Sequence, residues 1–135
     1  MKVRCIATAC DAQHTASERT EGTLSFDVEE GEWYVVYGLL IRRAVHYLVQ
    51  THSLYPLYIP AILFESPVGV LPPNQRLYVW NDPDFDVSCT MGPSFFADRA
   101  FYDKLLDDDK GCMAEWRTYK AYADGYEWTC ERSLV

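Results

Sequence analysis

Residues 33–41 read Trp33-Tyr34-Val35-Val36-Tyr37-Gly38-Leu39-Leu40-Ile41, with no charge among them. Trp, Tyr and Val suit a pleated, half-buried surface. Gly38 weakens a helix by about 1 kcal/mol relative to Ala. A helix is the competing reading, because apolar residues continue through Ala44, Val45, Tyr47, Leu48 and Val49. The polar pair Arg42-Arg43 breaks the run where a hairpin can reverse. Val45, Tyr47 and Val49 then alternate with His46, Leu48 and Gln50. The stretch predicts two strands joined by a tight turn.

Toward the N-terminus, residues 3–9 predict a short strand, with Val3, Cys5 and Ala7 set against Arg4 and Thr8. Residues 11–22 are polar and predict a loop with little to bury. Leu24, Phe26 and Val28 fall on one face of a further strand, and Glu29-Glu30-Gly31-Glu32 makes an acidic turn. Toward the C-terminus, Tyr55-Pro56-Leu57-Tyr58-Ile59-Pro60 carries two prolines, which predict an extended segment at a sheet edge. Residues 62–65 are a short apolar piece. Pro67, Gly69, Pro72, Pro73 and Asn74 mark a turn region, and residues 77–80 predict the last strand.

After Gly92-Pro93 the spacing changes. Phe96, Ala100, Lys104 and Leu105 fit a helix with Ser94 as its N-cap. Cys112, Trp116, Tyr119 and Ala123 lie on one face of a second helix, with Asp109 placed to cap it and Gly125 placed to end it. Strands first and helices last predict a mainly β, α+β fold. The expected form is one domain over 1–135: a small antiparallel barrel over about 1–82 and a helical part over about 93–125.

Three stretches resemble a group of small bacterial proteins. The first is Val28-Glu29-Glu30-Gly31-Glu32-Trp33-Tyr34-Val35-Val36-Tyr37-Gly38. The second is Tyr55-Pro56-Leu57-Tyr58-Ile59-Pro60-Ala61-Ile62-Leu63-Phe64-Glu65. The third pairs Phe101-Tyr102-Asp103-Lys104-Leu105 with Trp116-Arg117-Thr118-Tyr119-Lys120. Together they lie within roughly residues 22–123. The resemblance implies an SH3-like barrel with C-terminal helices, and some proteins of this kind are similar to immunity proteins of polymorphic toxin systems. It implies no catalytic motif. Arg42-Arg43-Ala44-Val45 departs from the group, which has a glycine-containing turn there.

Composition narrows the function. Hydrophobic residues make up 49% of the 135 residues, which excludes disorder along the whole chain. The net charge of −8 argues against nucleic acid, since a phosphate backbone needs positive charge. It favours a basic protein partner, whose opposite field speeds encounter. No apolar run is long enough to span a membrane. Cys5, Cys10, Cys89, Cys112 and Cys130 are odd in number and form no C-x-x-C pair, which suits free thiols in a cytoplasmic setting.

Candidate chemistry is sparse. Asp82, Asp84 and Asp86 alternate as in a cation loop, but a calcium loop needs Gly and Glu where Val87 and Pro93 stand. No metal and no cofactor is expected. Cys89 in a predicted loop, with His46 or His52 as base, gives the alternative of a small thiol-dependent hydrolase; His14 lies in the polar loop. No nucleotide-binding or hydrolase motif occurs. An enzyme is therefore the lesser expectation. The greater one is a protein-binding surface made of Tyr55 and Tyr58 with Asp82, Asp84, Asp86, Asp107 and Asp108.

Overall fold

A computed structural model describes residues 1–15, 21–65, 67–81 and 88–133, the side chains of 128–133 excepted. The strands are β1 (Lys2–Arg4), β2 (Ala9–Asp11), β3 (Thr23–Ser25), β4 (Trp33–Val35), β5 (Gly38–Arg42), β6 (Ala44–Gln50), β7 (Pro56–Pro60), β8 (Arg76–Trp80) and β9 (Ser88–Gly92). Two helices follow, α1 (Phe101–Leu106) and α2 (Lys110–Ser133). The main sheet is antiparallel with strand order β7-β6-β5-β9-β8, and β1-β4 and β2-β3 form two separate ribbons. The mainly β, α+β expectation holds. The main sheet is open: among the described residues β7 and β8 do not pair with each other.

The nine-residue apolar run is not one strand. Its first part pairs with β1 and its second with β6 and β9. Val36 and Tyr37 make the crossing and are both buried, so the run stays apolar throughout while changing sheets. The predicted hairpin is present, with Arg42 opposite Ala44. Arg43 takes the left-handed conformation at φ 62° in the place where glycine was expected.

Strand β6 divides the interior. Val49 joins Val3, Val28, Ile59 and Leu63 in a cluster under the ribbons. Its neighbour Leu48 joins Tyr37, Phe96, Phe101, Leu105, Trp116 and Tyr119 under the helices. Successive side chains leave opposite faces of a strand, so one run of apolar residues serves both clusters. Helix α2 is locked to the crossing segment: the Tyr119 hydroxyl donates to the Tyr37 carbonyl at 2.7 Å, and the Tyr37 hydroxyl donates to Asp124 at 2.5 Å. Burial pushes the Tyr119 phenol up to about 12.

Several sequence expectations are corrected. Ser88-Cys89-Thr90-Met91-Gly92, read as loop, is β9, which sits inside the sheet between β5 and β8. The strand region therefore extends to Gly92 rather than ending near 82. Ser94 does not cap a long helix. It opens a 3-10 turn (Ser94–Ala97), and Asp98 accepts the Ala100 N–H at 2.9 Å just before α1. Gly125 does not end α2, which continues to Ser133. Ala12 and Thr15, in the segment expected to bury little, are both buried. β7 lies at the sheet edge, as its prolines require.

The face of the main sheet turned away from the helices is only partly covered. Val79 faces Cys89, Cys89 faces Ile41, and Ile41 faces Val45, a row across four strands. Val79, Ile41 and Val45 are exposed, as is Leu77 in the next row. Among the described residues no helix is long and apolar enough to cross a membrane.

Candidate functional site

The turn joining β6 to β7 is braced from within. Gln50 Nε2 donates to the Ser53 carbonyl at 2.6 Å and to the Tyr55 carbonyl at 3.3 Å. Its Oε1 accepts from Trp116 Nε1 at 3.4 Å, which ties the turn to the buried indole. The turn presents Leu54, 76% exposed, to solvent.

Two acidic clusters meet this turn. His52 Nε2 lies 3.1 Å from the Glu29 carboxylate. The Tyr55 hydroxyl donates to Asp108, and that carboxylate raises the phenol above its ordinary value. Glu29, Glu32, Trp33, Tyr34 and His52 surround a hollow of about 150 Å³. Trp33 is 52% exposed there. One end of the molecule thus gathers four carboxylates, Glu29, Glu32, Asp107 and Asp108, around exposed Trp33 and Leu54.

The neighbouring carboxylate has a different role. Asp109 accepts the Cys112 N–H at 2.9 Å and so caps α2, which holds its carboxyl below the usual range. Asp107 and Asp108 follow the C-terminal end of α1, where negative charge does nothing for that helix. Asp108 reaches its place through a left-handed backbone at φ 62°.

The expected site residues are not all brought together. Tyr55 and Asp108 are in contact. Tyr58 is elsewhere: it points from β7 toward α1, its ring 4.9 Å from that of Tyr102. Asp82, Asp84 and Asp86 lie outside the described residues. Trp33, Leu54 and His52 belong to the acidic end and were missed as site residues. A lone Leu in the polar run Thr51-His52-Ser53-Leu54 was the one available signal.

Among the described residues neither His46 nor His52 is placed against Cys89. Cys89 shares its sheet face with Ile41 and Val79. His46 lies opposite Leu40, which lies opposite Thr90, so it leaves the other face. It is buried, its Nδ1 3.0 Å from the Ala44 carbonyl oxygen, and burial lowers its pKa. His52 is at the Glu29 end. Among the described residues no three His, Cys, Asp or Glu side chains are grouped so as to hold a metal ion.

Comparison of the chain with models of protein families, with curated proteins and with solved structures finds no match.

Proposed function

We propose that the protein is a protein-binding module that takes a basic partner on its acidic, aromatic end. The observation that carries this reading is the convergence of Glu29 and Asp108 on one braced turn. Carboxylates beside exposed Trp and Tyr suit a partner rich in Lys and Arg, through charge-assisted hydrogen bonds and cation–π contact. Aromatic residues in such places dominate binding energy. Binding acts by occlusion, with no covalent step. The more specific form of the proposal is an immunity-type protein that blocks a basic toxin domain. The SH3-like reading of the fold belongs to the same proposal. It is supported by five antiparallel strands in one sheet with the β1-β4 ribbon packed beside it.

The test is capture of a basic protein from source lysate at low and high salt, with the unaltered chain and with Glu29→Lys plus Asp108→Lys. Retention at low salt, loss at high salt and loss with the charge reversals are expected. A retained toxin domain should lose its activity when the chain is added. Capture that survives both salt and charge reversal overturns the reading.

A further inference from the structure

The main sheet ends on one side at β8, Arg76-Leu77-Tyr78-Val79-Trp80. In an edge strand every second residue turns its N–H and C=O outward, away from the sheet. Among the described residues no strand pairs with that side of β8, and no backbone hydrogen bond outside the ladder involves residues 76–80. Edges are commonly guarded by proline, lysine or an inward-pointing charge. β8 has no proline, and its single charged residue, Arg76, stands at its end. The edge is therefore open to a further strand.

The strand's own sequence says what fits there. When β8 meets a second β8 antiparallel, the ladder forms only if outward-turned residues face outward-turned residues. Facing side chains then leave the same side of the joined sheet. Of the registers this allows, the one centred on Tyr78 pairs all five residues. It sets Leu77 against the partner's Val79, and Val79 against the partner's Leu77. Leu77 and Val79 are 55% and 59% exposed on the face turned away from the helices. Val79 continues a row through Cys89, Ile41 and Val45, and Leu77 one through Met91, so the pairing joins two apolar rows end to end. On the helix side, Arg76 stands beside the partner's Trp80 rather than the partner's Arg76, and no like charges meet. Tyr78 meets the partner's Tyr78 on the two-fold axis. Such a contact is isologous: the same strand serves both sides.

We propose that β8 pairs with the β8 of a second copy of this chain, centred on Tyr78, and joins two five-stranded sheets into one symmetric dimer. The contact uses the edge opposite β7 and does not rest on the partner-binding reading of the acidic end.

Sedimentation equilibrium of the full chain, from about 1 μM to about 1 mM, tests this. The mass should rise from one chain to two and stop there. Hydrogen exchange of the amides of residues 76–80 should slow as the dimer fills. Leu77→Glu and Val79→Lys both replace exposed side chains. Each, checked for unchanged far-UV circular dichroism, should raise the dimer Kd at least about tenfold, because a charge then faces an apolar partner. The register supplies the deciding variant. Leu77→Glu combined with Val79→Lys sets each new carboxylate against the partner's new ammonium. That double variant should dimerise at least about fivefold more tightly than either single one. A single chain's mass over the whole range overturns the proposal, as does a dimer indifferent to the single changes. A double variant no tighter than the single ones overturns the edge register and points to packing between the bare faces.

Discussion

An added Cβ at Gly92 would stand 2.1 Å from Cδ2 of Phe96, so only hydrogen fits where β9 passes the ring. Gly92→Ala should therefore destabilise the fold by about 1–3 kcal/mol, the ordinary cost of overpacking. A lower urea midpoint at unchanged slope is the expected result. Gly38 obeys the same constraint, since its Cβ would meet the Met91 carbonyl oxygen at 2.7 Å. His46 gives a pH dependence of definite sign. Burial lowers its folded pKa, so below about pH 6.5 the unfolded chain binds more protons at this position than the folded one. The stability tied to the neutral imidazole is complete above that pH. It is lost as pH falls through the unfolded value toward the folded one. Chemical denaturation between about pH 7 and 5.5 should show declining stability, and His46→Gln should flatten the decline. An equal slope in the variant would assign the decline to other groups.

Helix α2 carries a glycine with the opposite prospect. A Cβ at Gly125 meets nothing within 4 Å, and the helix runs on past it. Gly125→Ala should raise stability by about 0.5–1 kcal/mol, roughly 2–4 °C in Tm. A fall in Tm would show that the helix is not continuous there. The same residue marks what the sequence could and could not tell. Asp109 is legible as a cap because capping is local, whereas Gly125 was misread because a helix ends only if its next turn has nothing to hold it. The nine-residue run was legible as extended chain, but its division between ribbon and sheet depends on Met1 and Leu48, remote partners that accept from Val36 and Tyr37. β9 was missed because Ser, Cys and Gly carry little strand signal around the single β-branched Thr90. Its central place is set by pairing with β5 and β8. In the candidate site, Tyr55 and Asp108 were legible as residue types. Their contact, and that of His52 with Glu29, spans long separations that no local pattern encodes.

On the scale of the molecule, the acidic end and the bare sheet face are distinct surfaces. Acidic groups gather at the β6–β7 turn, while Leu77, Val79, Ile41 and Val45 lie bare on the sheet. Such faces limit solubility more than they support the fold. Leu77→Thr with Val79→Thr should raise the solubility limit while changing stability by no more than about 1 kcal/mol, as read by precipitation and urea unfolding. A large loss of stability would place those side chains inside an interior. The two edges of the main sheet also differ. β7 presents Pro56 and Pro60, and the Tyr102 hydroxyl occupies the Pro56 carbonyl at 3.0 Å. β8 carries no proline, and among the described residues no further strand pairs with its outer side. Strand addition between copies can therefore use β8 alone in each main sheet. Two main sheets joined there have each used their proline-free edge, so growth through the main sheet stops at a pair where a sheet open on both sides would run on into a fibre. The prolines of β7 thus act as a chain terminator at that edge of the main sheet.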